Sequence, residues 1–277
     1  MSRKQKTMSN EAGALGGFLR ELAALRFTPW YRWHPQIAMR YLPAVEYIKR
    51  CQKRPGLSGK GQALSILALS ILEVGSGGLG IAPYLKMPVT GVDKEFEPPF
   101  HPLLKRVVGD ATELTFPNNS FDAVISVDML EHLPKNKREI AVLEMLRVAK
   151  RLVVIGVPCG KISMEHDLKI RDDYLRHRSA GYKFADEQIK LGLPDEIDIL
   201  HYIKSAVRQL NKKVEITVKG NFNLKLREFL MRGWMSKNVL VNILFRKVFL
   251  LLIPVFRLLD KEPYYRKMFF VEIENRK

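Results

Sequence analysis

Residues 69–80 read LSILEVGSGGLG, and residues 89–93 read VTGVD. The first stretch is an apolar run holding one acid, Glu73. It breaks into a turn built on Gly75, Gly77, Gly78 and Gly80. The second run closes on Asp93, about 20 residues after Glu73, the interval expected when a first strand, a turn, a helix and a second strand bind a nucleotide. Backbone without a Cβ turns tightly and lets a ligand approach the main chain. A carboxylate at the end of the second strand can accept hydrogen bonds from both hydroxyls of a ribose.

Further apolar runs extend this pattern. Residues 69–74, 88–93, 105–108, 121–127 and 151–157 read as strands, and 78–86 and 135–149 as helices. Within the second helix, Ile140, Leu143, Leu146 and Val148 are read as the apolar positions. Such alternation predicts an α/β fold, a doubly wound, mostly parallel sheet with helices on both faces. KKVEITVKG at 212–220 and YYRKMFFVEIE at 264–274 alternate like strands that pair antiparallel. A further helix is expected over 195–210, two more at 11–26 and 29–50, and a loop at 52–62. The expected organisation is a basic helical segment over 1–60 and one domain over 61–277. Within that domain, 159–210 covers the site as a substrate lid and 222–260 forms an apolar, basic helical insert.

Ligands of doubly wound sheets sit beyond the carboxyl ends of the strands, so Glu73, Asp93 and Asp110 are expected to face one crevice. Glu73 suits a cationic or amine-bearing ligand or holds the loop, Asp93 suits a ribose, and Asp110 an exocyclic amine such as that of adenine. ILEVGSGGLG, VTGVD and GDATELTFPNNSFDAVISVDMLEHLP together resemble the class I S-adenosylmethionine-dependent methyltransferases, closest in style to those acting on small molecules, lipids and glycans. The resemblance covers roughly residues 65–160. It implies a Rossmann-like seven-stranded sheet with an antiparallel last strand, and S-adenosyl-L-methionine as the cofactor. It places Glu73, Gly75, Ser76 and Gly77 at the methionine end, Asp93 and Lys94 at the ribose, and Asp110 and Ala111 at the adenine. Asp128 and Met129 fall beside the transferred methyl. The spacing Gly75, Gly77, Gly80 also fits a nicotinamide-binding turn, but the FDAVISVDMLEHLP block belongs to the methyltransferase pattern.

Methyl transfer from a sulfonium is an in-line displacement that needs alignment and, for a hydroxyl acceptor, a base. His132, after the fourth strand, and His166, in MEHD at 164–167, are the catalytic candidates. His132 has the alternative of capping the next helix, and MEHD that of a solvated helix start. His101, His177 and His201 stand alone and read as structural. No ligand spacing supports a metal site. Cys51 and Cys159 stand in unrelated contexts, so no disulfide framework follows and a reducing, cytoplasmic location is expected. YKFADEQIKLGLPDEIDILHYI resembles a segment found in methyltransferases of polysaccharide clusters.

The 277 residues carry a net charge of +17, unevenly placed. Residues 1–60 hold 12 Lys/Arg against 3 Asp/Glu, residues 61–202 hold 17 against 20, and residues 203–277 hold 17 against 6. A near-neutral core with basic flanks points to an anionic partner at the edges. The run 239–259, VLVNILFRKVFLLLIPVFRLL, is apolar apart from a few polar and basic residues, and is broken by Pro254. Such a segment is too interrupted to span a bilayer. It suits an anionic membrane surface, where the protein would sit peripherally on the cytoplasmic face, or else a sheet cover or homodimer interface. The leading expectation is O-methylation of a lipid-linked or glycan acceptor near a membrane. The alternatives are an RNA or protein methyltransferase that uses the basic flanks, and a non-catalytic S-adenosylmethionine-binding partner protein.

Overall fold

The computed structural model describes residues 35–52, 69–178, 181–238, 240–241 and 244–274. The expected helix at 11–26, most of the loop at 52–62 and the start of the helix at 29–50 lie outside them. Seven strands form one sheet in the order β3-β2-β1-β4-β5-β7-β6. They are β1 (Ile71–Val74), β2 (Val89–Asp93), β3 (Leu104–Val108), β4 (Phe121–Val127), β5 (Ala149–Pro158), β6 (Val214–Asn223) and β7 (Tyr264–Ile273). The first five are parallel. β7 enters antiparallel between β5 and β6, pairing Ile155 with Phe269 and Val218 with the same residue.

Both faces of the sheet are covered, which is why β1 to β5 read as near-continuous apolar runs. Leu72, Val74, Val124 and Val153 pack on one side under α3 (Lys135–Val148) and α6 (Glu196–Gln209). Ile71, Ile125, Val154, Met268 and Phe270 pack on the other side under α1 (Pro35–Gln52). Ala38, Tyr41, Val45 and Ile48 supply the buried stripe of α1 at helical spacing. α6 starts where it does because Asp195 and Asp198 form a reciprocal capping box.

Two helices depart from expectation. The helix expected over 78–86 is one turn, α2 (Ala82–Leu85), because the glycine turn runs on to residue 80 and Pro83 suits only a helix start. In α3 the buried face is Arg138, Ala141, Val142, Met145 and Leu146, whereas Ile140 is 46% exposed. Arg138 stays buried because its guanidinium donates to the carbonyl oxygens of Leu133 and Gly192, at 3.0 and 2.5 Å.

Residues 159–210 contain two helices besides α6: α4 (Gly160–Arg178) and α5 (Lys183–Leu191). Between β6 and β7 the chain forms α7 (Leu224–Met235), a π-helical turn Leu244–Val248, and short helices α8 (Phe249–Leu251) and α9 (Ile253–Leu258). α7 belongs to the interior, with Leu226 and Leu230 packed against Met39, Phe245 and Tyr265. Among the described residues, no helix is long and apolar enough to cross a membrane.

Candidate active site

The carboxyl ends of β3, β2, β1 and β4 carry Asp110, Asp93, the glycine turn and Asp128, in that spatial order. Three strand spacings of about 4.8 Å put roughly 14 Å between the outer two. β1 lies between β2 and β4, where the strand order reverses, so the crevice opens at the switch point of the sheet.

The turn is held from below. Gly75 donates its N–H to the Val92 carbonyl at 2.8 Å, and Gly77 donates to Asp93 Oδ2 at 2.8 Å. Gly77 has φ +55°, and a Cβ placed there would meet no atom within 4 Å. That is a cradle of bare backbone facing open space. On the other side, a Cβ on Gly80 would collide with Glu73 Oε2. Ser76 is buried, its hydroxyl donating to the Gly77 carbonyl.

Glu73 is fully buried beneath this turn. Its Oε2 accepts from the Ile81 N–H at 2.6 Å, and Oε1 has no hydrogen-bond partner. Burial raises its pKa from 4.5 to about 7, against the lowering effects of the Ile81 N–H, Tyr41 and Arg40. The native fold therefore favours protonated Glu73. Its stabilising contribution is complete below pH 4.5 and is lost as pH rises through 7. Glu73→Gln is expected to flatten the fall in thermal midpoint across that window; an unchanged slope would assign the titration to another group.

Asp93 Oδ1 accepts from the Lys94 N–H at 2.8 Å, leaving both carboxylate oxygens with lone pairs for incoming hydroxyls. Asp110 Oδ1 accepts from the Thr112 N–H and hydroxyl, at 2.8 and 2.7 Å. Those bonds lower its pKa, and Oδ2 lies 3.7 Å from Lys94 Nζ. Ala111 is buried beside Val92 and Leu114. Met129 packs against the turn, where a Cβ on Gly75 would collide with its side chain.

Asp128 sits in the left-handed region at φ +55°. This is an uncommon state for a residue other than glycine, and one that clusters at functional sites. Its Oδ1 and Oδ2 accept from Nε and an Nη of Arg266, both at 2.5 Å, and Arg40 Nε lies 2.9 Å from Oδ2. Burial pushes the pKa up, but Arg266 and then Arg40 override it and hold the group at about 2. Arg266 also donates to Asn221 Oδ1 at 2.9 Å.

His132 is 22% exposed, in the 3₁₀ turn Leu130–His132. Its Nδ1 lies 2.7 Å from Glu187 Oε2, and its Nε2 lies 3.3 Å from Gln188 Nε2. Both partners belong to α5. This pairing fits the tautomer in which Nδ1–H donates to Glu187 and the Nε2 lone pair accepts from the Gln188 amide. Glu131 beside it is fully buried, with Oε2 unpartnered, and burial followed by the charge of Asp128 pushes its pKa well up.

His166 is placed differently. Its Nδ1 is 2.6 Å from an Nη of Arg227 and its Nε2 is 3.1 Å from the Leu224 carbonyl, so both ring positions are engaged. Burial, then Arg227, lowers its pKa to about 4. Asp167 accepts from the Tyr265 hydroxyl and pairs with Arg227, both at 2.9 Å. MEHD is therefore part of a buried polar network joining α4, α7 and β7, and neither a solvated helix start nor a base with an open lone pair. Glu165 alone faces solvent, beside Lys161.

The structure thus brings Gly75, Ser76, Gly77, Asp93, Lys94, Asp110, Ala111, Asp128, Met129 and His132 to one sheet edge, with Glu73 beneath it and His166 apart. Sequence reasoning did not single out Arg40, Arg266, Glu131 and Glu187. Glu131 and Glu187 lie in blocks that the sequence reading quoted. Nothing in the sequence tied Arg40 or Arg266 to Asp128. Among the described residues, no cluster of His, Cys, Asp and Glu has the makings of a metal site.

Residues 72–155 match the family model for a methyltransferase domain. The chain therefore carries an S-adenosylmethionine-dependent methyltransferase domain, and the bare backbone at Gly77 beside Asp93 and Asp110 fits that cofactor. Three of the solved structures to which the chain is similar illustrate the likeness. One is an Anabaena variabilis protein assigned as a methyltransferase of an antibiotic biosynthesis pathway, with 16% identity, coverage of 83% of this chain and 98% of that one, and a TM-score of 0.48. Another is the Synechocystis magnesium protoporphyrin IX methyltransferase with bound S-adenosylhomocysteine, with 12% identity, coverage of 97% and 100%, and a TM-score of 0.47. The third is a Thermotoga maritima S-adenosylmethionine-dependent methyltransferase, with 13% identity, coverage of 93% and 97%, and a TM-score of 0.47. No curated protein sequence matches the chain.

Proposed function

We propose that the protein methylates a hydroxyl oxygen of a lipid-linked or glycan acceptor, working at the cytoplasmic face of a membrane, with His132 as the base. The observation that carries this reading is the His132–Glu187 pair beside the end of β4. S-adenosylmethionine supplies an electrophilic methyl on a positive sulfur. Gly75 and Gly77 present the backbone that would hold its methionine end, Asp93 the ribose, and Asp110 with Ala111 the adenine. With the cofactor bound, His132 Nε2 would take the hydroxyl proton as the methyl passes to the acceptor oxygen, and the sulfonium would leave as a neutral thioether. Glu187 stabilises the imidazolium that forms. The acceptor hydroxyl takes the place beside Nε2 that the Gln188 amide holds.

Transfer of labelled methyl to fractionated cell extract tests the acceptor class: label in lipid or glycan supports the reading, and label confined to RNA or protein overturns it. His132→Ala is expected to lower kcat about 10²-fold with unchanged cofactor affinity, the low end of what general-base catalysis contributes. Glu187→Gln is expected to lower it less and to shift the pH profile. Unchanged kcat in His132→Ala would remove the base assignment.

A further inference from the structure

We infer that α8, α9 and the chain leading into them form a surface that docks on an anionic phospholipid bilayer. This deepens the membrane-proximal reading above and names the part of the molecule that makes the contact. These helices are apolar on two sides. Phe245 and Phe256 turn inward and pack with Leu226 and Leu230 of α7. Leu240, Leu251 and Leu258 turn outward and are 75%, 74% and 75% exposed, and Val255 and Leu259 are exposed with them. Apart from Arg257, these short helices are apolar both inward and outward, and an exposed cluster of apolar side chains rimmed by polar residues marks a protein or membrane contact. No described helix is long and apolar enough to cross a membrane, and the arrangement that fits this ridge is one lying in the interface.

Charge selects the partner. From Phe229 to Leu259 the sequence has no Asp or Glu and five basic residues, Arg232, Lys237, Arg246, Lys247 and Arg257, of which Arg232 pairs with Glu228 and Arg257 with Glu46. Such a composition is matched by acidic headgroups. Beside α9 lies a cavity of about 350 Å³ between α1, β6, β7 and α9, floored by Met39, Leu42, Met268 and Phe270. Arg50, whose guanidinium lies over the Tyr47 ring at 4.6 Å, and Lys219 are exposed residues of its lining, which also holds Asp260 and the Glu46–Arg257 pair. A headgroup phosphate beside the apolar ridge would meet Arg50 and Lys219, and the acyl chains would meet the leucines.

The test uses the full chain and vesicles of phosphatidylcholine, with and without phosphatidylglycerol. Co-sedimentation is expected with the anionic vesicles and is expected to weaken with salt. Leu251→Asp with Leu258→Asp is expected to weaken it about a hundredfold, roughly tenfold for each apolar side chain that no longer enters the interface. Arg50→Glu with Lys219→Glu is expected to weaken it about tenfold or more, and Leu258→Phe to preserve it. All three variants are expected to keep the wild-type thermal midpoint and S-adenosylmethionine affinity, so failure of vesicle binding is separable from failure of the methyltransferase site. Unaltered vesicle binding in the Leu251→Asp/Leu258→Asp variant would overturn the proposal. So would a dimer that this variant dissolves while vesicle binding persists, since the ridge would then be a contact between two copies.

Discussion

Asp93→Ala is expected to abolish measurable S-adenosylmethionine binding in titration calorimetry. The carboxylate does two things from one position. It ties the turn by accepting from the Gly77 N–H, and it has lone pairs left for a ribose. Alanine removes both. Each hydrogen bond to a charged group contributes about 1.5–3 kcal/mol. Loss of two ribose bonds corresponds to a rise in Kd of about 10²–10⁴-fold, before the loosened turn is counted. Asp93→Asn keeps an acceptor for Gly77 while removing the charge, and is expected to fall between the two. Wild-type affinity in Asp93→Ala would take the residue out of the cofactor site.

Arg266→Met is expected to cost about 3–5 kcal/mol of folding stability in urea denaturation, the usual consequence of removing one partner of a buried ion pair. Asp128 is 9% exposed at its side chain, and Arg266 grips both of its oxygens. Without that grip, a buried carboxylate is left with Arg40 alone. The acid limb provides a second readout. Because the pKa of Asp128 is lowered from 3.8 to about 2, its stabilising contribution is present above 3.8 and disappears as pH falls through 2. Arg266→Met is expected to erase this acid-side loss. Adding Asp128→Asn, which removes the charge and tolerates φ +55°, is expected to restore most of the stability. A loss below about 1 kcal/mol in the single variant would mean that the clamp contributes little, since that is what exposed pairs contribute.

The sheet was legible because its strands are buried on both faces. The apolar runs at 69–74, 88–93, 105–108, 121–127 and 151–157 differ from β1 to β5 only at their ends. The strand pair 212–220 and 264–274 was legible by alternation, since β6 is an edge strand with half-buried residues. α4 was not legible. It buries Ser163, His166, Asp167 and Asp173 with a single apolar residue, Ile170, so its inward face carries no hydrophobic stripe. Ser163, His166 and Asp167 are inside because Tyr265 and Arg227 satisfy them, and these partners lie far along the chain. In α3 the apolar positions Leu146 and Val148 are buried as read, Ile140 is exposed, and Arg138 joins the buried face through its carbonyl partners. The carboxylates of the site could be read from the strand ends on which they stand. The arginines that set their charge could not, since Arg40 comes from a helix that the sequence assigned to a separate segment.

The place of β7 bears on how the molecule is made. β6 pairs with β7 alone, and β7 enters between β6 and β5. Synthesis from the N-terminus delivers five parallel strands first, then β6 and the insert, and only afterwards the strand that joins them. Until then β5 presents an open edge, and open edges invite pairing between chains. The arriving strand closes that edge and carries Arg266 to Asp128 in the same event. Any nascent chain interrupted within the insert would display the full glycine turn and its carboxylates while lacking the arginine that sets the charge at the end of β4. Completion of the sheet and pairing of Asp128 with Arg266 therefore coincide.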